Sequence, residues 1–236
     1  MTPGLIVVIV VIVVIVVLGG AAAARAKDRR YRSGLLDWAT ARGWTYRDDG
    51  APVTRLLPEA EWISLLPRGR RRRGVKLQLD GTRQGRPVTV ADYWYQTTHT
   101  STSGGASTTH TRTHHLTVIV VRLAARYPAA ELQRRGLGLG WGLAVSRAVG
   151  GQPANLTGTE EFDRRYQIRT AAPGGSALVT PQLISAYLTS DLPLWQLAGD
   201  QLVITWPGPI KADELDQKAG QALMIAGLLD SPATRP

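Results

Sequence analysis

The feature that most constrains this chain is an uninterrupted apolar run from Gly4 to Ala24, GLIVVIVVIVVIVVLGGAAAA. A helix rises about 1.5 Å per residue, so a run of this length extends about 30 Å, which matches the hydrocarbon core of a bilayer. A buried core helix would not carry Val and Ile on every face. The sequence therefore predicts a transmembrane helix over residues 5–24.

The flanks of this run separate two explanations for it. A cleaved signal peptide is one, because AAAARA offers small residues suited to cleavage. However, MTPG before the run has no basic residue, whereas RAKDRRYR after it has five, and this favours an uncleaved anchor. Basic residues next to a span stay on the cytoplasmic side. We therefore expect a single-pass protein of the cell membrane, with residues 1–4 outside, a basic juxtamembrane linker at 25–32 and the large domain in the cytoplasm.

Composition limits the chemistry available to the rest of the chain. The 236 residues include 44% hydrophobic residues, enough for the core of one domain, which we place at residues 33–230 with a flexible tail at 231–236. The chain has no cysteine. This excludes a disulfide framework, a thiolate nucleophile and a cysteine-based zinc site.

Positive charge is concentrated in the first half of the chain. The formal net charge is +10, and residues 1–118 hold 17 basic and 8 acidic side chains, against 11 and 10 in residues 119–236. The densest run is RGRRRRG, residues 68–74. Such a run is either a solvated loop, a contact for anionic lipid headgroups or a contact for nucleic acid, and the lack of interleaved aromatics argues against nucleic acid. The residues assigned to membrane-surface contact are Arg25, Lys27, Arg29, Arg30, Arg32, Arg68, Arg70, Arg71, Arg72 and Arg73.

Periodicity in the first part of the domain predicts one short helix and a sheet. Ser33 and Gly43 are suited to begin and end a helix, with Leu35, Leu36 and Ala39 on one face. Three segments then favour β-strands, VKLQLD, VTVADYWYQ and HLTVIVVRL, because they alternate or are rich in β-branched and aromatic residues. Short connections between them indicate an antiparallel meander. The predicted fold class is α+β, with a transmembrane helix, a mainly antiparallel sheet and packed helices.

The second part of the domain predicts further strands and helices. The Gly-rich segment 136–146 favours a strand with a bare face, and Thr157 with Glu160 has the spacing of a capping box. Thr180 and Pro181 are suited to begin a helix, and Gly199-Asp200 to turn a hairpin. A final helix has an apolar stripe of Leu215, Ala219, Ala222, Ala226 and Leu229.

All four histidines lie between Tyr95 and His115. If Gly104-Gly105 forms a hairpin turn, paired positions sum to 209, so that His99 faces His110 and Tyr95 faces His114. Facing histidines could share a metal ion, but no Asp, Glu or Cys occurs between Tyr93 and Tyr127 to complete a site. The sequence thus predicts no metal site here, and either a polar β-ribbon or a disordered loop over 96–115.

Several short motifs resemble an uncharacterised group of single-pass membrane proteins from high-GC actinobacteria, a domain of unknown function. They are Gly43-Trp44, Asp92 to Tyr95, Glu161 to Ile168, Thr180-Pro181 and Trp195 to Leu202. The motifs extend over nearly the whole chain. The resemblance implies an anchored α+β domain and carries no assigned activity.

Catalytic motifs are largely missing from the sequence. There is no G-x-S-x-G elbow, H-E-x-x-H helix or phosphate-binding loop. Two carboxylate clusters, residues 160–163 and 213–216, fall at predicted helix N-termini, where negative charge is favourable. We therefore expect no cofactor and a non-enzymatic interaction or scaffold module that contacts an unknown protein partner or the anionic membrane surface. The alternative is a membrane-anchored hydrolase of unrecognised type, and a nucleic-acid adaptor ranks third.

Overall fold

The computed structural model describes residues 3–48, 72–103, 106–135, 157–170 and 178–231. These residues divide into two units, Met1–Gly43 and Trp44–Pro236, which are described separately. The first unit contains helix α1 (Pro3–Ala41). The elements described in the second unit are β1 (Thr45–Arg47), β2 (Arg73–Arg83), β3 (Arg86–Ser103), β4 (Ala106–Arg134), α2 (Glu160–Arg165), β5 (Tyr166–Thr170), α3 (Pro181–Thr189), β6 (Trp195–Pro207) and α4 (Ala212–Leu229).

Helix α1 continues through the position where the sequence predicted a new helix to begin. Ser33 is therefore not an N-cap, and its hydroxyl donates to the carbonyl of Arg30 within the same helix. The helix ends as predicted before Gly43, whose φ of 68° is the left-handed conformation that glycine adopts without strain. Of the three residues expected on one face, Leu36 is exposed.

The predicted transmembrane helix over residues 5–24 needs correction. Across the residues that the structure describes, no helix has both the length and the apolar composition needed to cross a membrane. The same helix continues directly from the predicted span into a dense group of charged side chains at residues 25–32, which do not fit the hydrocarbon core. The finding contradicts both the transmembrane part of the predicted fold class and the predicted single-pass placement at the cell membrane.

Strands β2, β3 and β4 form the predicted antiparallel meander. The turn between β2 and β3 contains Gln84 and Gly85, both with positive φ, at 51° and 74°. A two-residue turn in which both central residues have positive φ has the twist that the right-handed twist of the strands requires. Arg83 and Arg86 form the pair that closes this turn. β1 extends the sheet by pairing with β2.

Strand β4 is the centre of the sheet because both of its edges are paired. On one edge it pairs with β3 through residues 106–121 and, further along, with β5 through residues 130–134. On the other edge it pairs with β6. β6 runs unbroken through the Gly199-Asp200 position, so the predicted hairpin there is wrong. Gly199 has a φ of 59° and lies instead where the β4–β6 register shifts.

Helix α4 packs on β4 and β6 through the apolar stripe read from the sequence. The five stripe residues are all completely buried: Leu215, Ala219, Ala222, Ala226 and Leu229. Buried Val and Ile side chains of the central strands supply the main core, namely Val88, Val90, Val118, Ile119, Val121, Val203 and Ile204. The gain in free energy from such burial, about 25 cal/mol per Å² of apolar area, holds the helix on the sheet.

A smaller aromatic cluster joins α2, β5 and α3. The Phe162 and Tyr166 rings are 5.1 Å apart, and Tyr187 meets both rings edge-on. Thr180 caps α3 as predicted, since its hydroxyl accepts from the Leu183 amide at 3.2 Å. The predicted capping box of α2 is not formed. Thr157 instead donates to the Asp163 carboxylate from both its amide and its hydroxyl.

Asp230 connects the end of α4 to the irregular part of β4. Its buried carboxylate accepts from the Ala124 amide and the Tyr127 hydroxyl, each at 2.9 Å, and contacts the Arg86 guanidinium. Burial raises the pKa of Asp230, but these donors outweigh it, so that the pKa lies below its usual range. Ala124 and Tyr127 lie where β4 has extra residues relative to β6. The carboxylate therefore accepts from the Ala124 amide, which has no partner in the β4–β6 register.

We predict that Gly81→Ala destabilises the fold. A Cβ at this position would lie 2.3 Å from Cδ2 of Trp44, a buried side chain, and such overpacking costs about 1–3 kcal/mol. Gly220→Ala is the matched control, because nothing lies within 4 Å of its added Cβ and alanine is favoured in a helix. Urea unfolding should show the first variant weakened and the second unchanged or stabilised. Equal effects would contradict the contact.

We also predict that Asp230→Asn lowers the free energy of unfolding by about 2 kcal/mol at neutral pH, because a buried charged acceptor is lost. The pKa of Asp230 is lower in the folded protein than in the unfolded chain, where it is about 3.9. The ionised carboxylate therefore stabilises the fold fully above the unfolded pKa, and this stabilisation is lost as pH falls through the folded pKa. The difference between wild type and variant should therefore shrink below about pH 4. Asp191→Asn, at an exposed ion pair, should have little effect at either pH. A pH-independent difference would contradict the role of the charge.

Candidate functional site

The most exposed ordered feature among the described residues is a two-stranded ribbon, the ends of β3 and β4 over residues 97–103 and 106–114. Pairing of β3 with β2 ends near Tyr95, and pairing of β4 with β6 ends at Leu116. The β3–β4 ladder nevertheless continues without a shift to the Ser103–Ala106 pair. Every residue from Arg112 outward to Ser107 is exposed. The ribbon is therefore ordered strand that projects past its neighbours in the sheet.

The ribbon has the register predicted from the sequence. Its Cα partners sum to 209, with Tyr95 opposite His114 and His99 opposite His110. His114 and His115 are consecutive in a strand and so point to opposite faces. Among the described residues no group of three or more His, Cys, Asp or Glu side chains is placed to hold a metal ion.

The two faces of the ribbon have different chemistry. One face is a neutral ladder of cross-strand contacts: Gln96 to Thr113 at 3.2 Å, Thr98 to Thr111 at 3.5 Å and Thr100 to Thr109 at 3.3 Å. The other face carries His110, Arg112 and His114 on β4, since alternate residues share a face. The ribbon thus presents hydroxyls on one side and nitrogen donors on the other.

An aromatic group fixes the base of the nitrogen-bearing face. The Tyr95 and His114 rings stack with centroids 4.9 Å apart, and Thr97 Oγ1 lies 3.0 Å from His114 Nε2. Tyr93 continues the row, 6.3 Å from Tyr95. Burial raises the pKa of Tyr93, and the positive charge of Arg73 only partly opposes this, so the phenol stays protonated at neutral pH. These contacts therefore hold the side chains at the base of the ribbon in fixed positions.

The opposite face at the base holds a buried acid–histidine pair. Asp92 is completely buried, and its Oδ1 lies 2.8 Å from Nδ1 of His115, whose side chain is 31% exposed. The backbone of His115 also accepts from the Gly208 amide, and Thr117 donates to the Gly208 carbonyl. The pair thus lies at the point where β6 ends and the ribbon begins.

An acid that orients a histidine is also part of many hydrolytic sites, where the second ring nitrogen activates a nucleophile. In the described part of the chain, the hydrogen bond of the His115 ring is made to Asp92, and no hydroxyl is bonded to its other nitrogen. Tyr187 is also not a candidate base, because burial raises the pKa of its phenol well above the usual range. The arrangement suits positioning of strands better than hydrolysis.

The basic residues assigned to membrane-surface contact that the structure describes lie in α1 and at the start of β2. Those of α1 occupy two helical turns; Arg25, Lys27, Arg29 and Arg30 are exposed, and Arg32 pairs with Asp28 at 2.9 Å. Arg72 and Arg73 are exposed at the start of β2, and the positive charge of Arg73 acts on the Tyr93 phenol. Arg68, Arg70 and Arg71, like the predicted strand at 136–146, lie outside the described residues.

The two carboxylate clusters form local ion pairs. In α2, Glu160 pairs with Arg164 and Glu161 with Arg165, both with i,i+4 spacing. In α4, Glu214 pairs with Lys211 and Lys218, and these contacts lower the pKa of Glu214 to about 2. Asp216 pairs with Arg83 of β2 at 2.8 Å. The lowered pKa of Glu214 is the opposite of the raised pKa that a general acid needs at neutral pH.

Sequence reasoning missed Asp92 and its pairing with His115. The available signal was an acidic residue in the middle of a strongly apolar strand, VTVADYWYQ, because a charge at such a position requires a partner. That signal identifies Asp92 as paired but does not name the partner. His115 is 23 residues away in the chain, and only the sheet register brings the two together.

The comparisons with known proteins identify a similar fold and no family. No family model matches the chain, and no curated protein matches it. A solved structure is similar, described as the crystal structure of the mycobacterial trehalose monomycolate transport factor A, TtfA. The match covers 85% of this chain and 93% of that chain with a TM-score of 0.55 and 12% identity. At this identity the likeness shows a shared fold.

We predict that Asp92 and His115 are energetically coupled. In a double-mutant cycle with Asp92→Ala and His115→Ala, the coupling should be about 1–2 kcal/mol, because each single change leaves a buried polar group without its partner. The exposed Gln96–Thr113 pair provides the control cycle, with an expected coupling below about 0.5 kcal/mol. Chemical denaturation of the seven proteins, the wild type and three variants for each pair, measures both values. Similar coupling in the two cycles would contradict a special role for the buried pair.

Proposed function

We propose that this chain is a non-enzymatic interaction module that engages a protein partner through the ribbon. One observation carries the proposal. The ribbon is paired without a register shift over its described length, while the side chains of residues 98, 100–102 and 107–113 are exposed to solvent. Order combined with exposure is what a preformed binding element requires, because a partner then does not have to order the segment.

The ribbon contributes little to the stability of the fold. An isolated two-stranded hairpin is marginally stable in water, and this one has Thr and Ser where a stabilising ribbon would have apolar pairs. Exposed strand edges also favour aggregation unless they are managed. A role in stability therefore does not explain why the chain has this element, whereas a role in binding does.

Two further observations support a role other than catalysis. The His115 ring is bonded to Asp92 and not to a nucleophile in the described residues, and a protein of similar fold is named a transport factor. We propose a comparable assisting role for this chain. Membership in the uncharacterised actinobacterial group also remains our proposal, and it rests on the short motifs around Asp92, Glu161 and Thr180.

Site-specific photo-crosslinking in cells tests the proposal. Photoreactive amino acids at Thr100 and at Thr109, its cross-strand neighbour, should capture the same polypeptide. Gln182, exposed on α3, serves as the control position and should not capture it. The physical reason is distance, because a partner bound along the ribbon lies next to both strands.

A shortened ribbon provides the matched variant. Residues 98–111 are replaced by Asn-Gly, so that the Thr97–Arg112 pair closes a two-residue turn. We expect the melting temperature to change little, because the deleted residues are exposed, and the captured polypeptide to stop co-purifying with the chain. Capture that is identical from the control position, or a partner that still binds the shortened chain, would refute the proposal.

The exposed basic residues of α1 support a second, separate proposal, contact with an anionic lipid surface. Arg25, Lys27, Arg29 and Arg30 are all exposed and within two turns. Each basic residue close to an anionic surface contributes about 1 kcal/mol, so the four together can hold a helix against it.

Vesicle binding of the full chain tests this second proposal. Replacing the four residues by Gln should reduce binding to phosphatidylglycerol-rich vesicles and the salt sensitivity of that binding, because screening acts on surface charge. The control replaces Arg122, Arg126 and Arg134 of β4 and Arg135 just after it, which changes net charge equally and should have a smaller effect. If both variants behave alike, net charge alone explains the binding.

A further inference from the structure

The outer edge of β4 along the ribbon is an unfilled strand position in the described structure. β6 occupies this edge up to the pair of Pro207 with Leu116. The chain then leaves the sheet, and the last bond is from the Gly208 amide to the His115 carbonyl. Beyond this point no described residue pairs with β4 on that side. A further strand could continue the line of β6 along residues 107–114.

The direction of the backbone groups follows from two hydrogen bonds. The His115 carbonyl points to the outer edge of β4, because it accepts from Gly208. Backbone groups in a strand alternate between its edges, so the amides and carbonyls of Thr109, Thr111 and Thr113 also point outward. On the other strand, the Gln96 amide donates to Arg72, away from β4, and Thr98 therefore points to the opposite outer edge.

The β4 edge lacks the usual features that block strand addition. Natural edges are protected by proline, lysine, bulges or very short strands. Residues 107–113 contain neither proline nor lysine, and their pairing with β3 has no register shift. The Thr side chains are β-branched and favour extended structure without exposing an apolar surface.

The charge of the ribbon selects the chemistry of an added strand. Arg112 is exposed and makes no ion pair with another described residue, and His110 is exposed on the same face. No acidic residue occurs between Tyr93 and Tyr127, and the whole chain carries a net charge of +10. Directly opposite charges on neighbouring strands are favourable, so carboxylates at alternate positions of the added strand fit this face.

We propose that the outer edge of β4 binds an extended acidic segment of a protein partner by strand addition, with its carboxylates next to Arg112 and His110. The inference deepens the proposed function and rests on it. Backbone hydrogen bonds from Thr109, Thr111 and Thr113 supply the affinity, and the alternating carboxylates supply specificity. The neutral Thr ladder on the other face accepts small polar or β-branched side chains.

A second copy of this chain fits the edge less well. Antiparallel pairing of two β4 edges about Thr111 would make Arg112 of one chain a diagonal neighbour of Arg112 of the other, and would bring together two chains that each carry +10. Like charges on neighbouring strands are unfavourable. An acidic segment avoids both penalties.

Three synthetic peptides serve as probes for the full chain, each labelled for fluorescence anisotropy. The first alternates Thr and Glu over nine residues, the second alternates Thr and Lys, and the third has the composition of the first in an order without alternation. The alternating acidic peptide should bind, and the lysine peptide should bind at least about tenfold more weakly because its charges oppose Arg112. The third peptide separates strand pairing from simple charge attraction.

A pair of proline variants identifies the edge. Thr111→Pro removes an outward amide of β4, and Thr98→Pro removes the outward amide of its cross-strand partner on β3. Both should preserve the β3–β4 ladder, because neither amide takes part in it. Binding of the acidic peptide should fall about tenfold or more in Thr111→Pro and change less than about twofold in Thr98→Pro.

Charge reversal provides an independent readout that does not depend on proline. Arg112→Glu should weaken the acidic peptide and strengthen the lysine peptide, because the sign of the opposing charge is exchanged. The stronger binding of the lysine peptide would not occur if the variant had merely lost its fold.

Several results would overturn strand addition: failure of the acidic peptide to bind the wild type, equal binding of the unordered peptide, or equal loss in the two proline variants. Dimerisation that Thr111→Pro abolishes would identify a second copy as the occupant, and binding only to vesicles would identify a lipid surface. If the ribbon still crosslinks to its partner in Thr111→Pro, the proposed interaction through the ribbon is supported and the proposed strand addition is refuted. If no ribbon-dependent capture occurs, the proposed function itself fails.

Discussion

Hydrogen bonding along both edges of β4 is the constraint on which the described sheet depends. The strand joins β3 and β5 on one edge to β6 on the other, so it fixes the positions of elements that are far apart in sequence. Helix α4 then covers the buried Val and Ile residues of this sheet with its apolar stripe. Since β4 extends further than any of its neighbours, the sheet necessarily has a part where only β3 and β4 remain paired.

Polar groups are placed at the two points where the regular pairing of β4 changes. In the irregular stretch after Arg122, where the β4–β6 register shifts, Asp230 accepts from the Ala124 amide and the Tyr127 hydroxyl. Where β6 ends, Asp92 holds His115 at the base of the ribbon. Buried carboxylates are costly unless they are fully hydrogen-bonded, so both are found where backbone or ring donors are available.

Local patterns in the sequence predicted the elements that depend on local chemistry. The meander, the Thr180 cap, the stripe of α4 and the register of the ribbon all follow from residue spacing, and the structure confirms them. The failures have non-local causes. Gly199-Asp200 has the composition of a turn but lies within β6, because β4 provides a partner for an unbroken strand. The interpretation of the apolar run as a transmembrane helix was also wrong for the described residues, and Asp92 found a partner that only the register could identify.

Amide hydrogen exchange along β4, measured residue by residue by NMR, tests the central claim that the ribbon is an ordered pair with one edge open for a partner. We predict that the exchange rates alternate along β4 in the free protein. The amides of His110 and Arg112, which bond to β3, should exchange slowly, and those of Thr109, Thr111 and Thr113 should exchange fast. Addition of the alternating acidic peptide should slow the second set. Uniformly fast exchange would show that the ribbon is not paired, and outward amides that are already slow in the free protein would show that the edge is occupied.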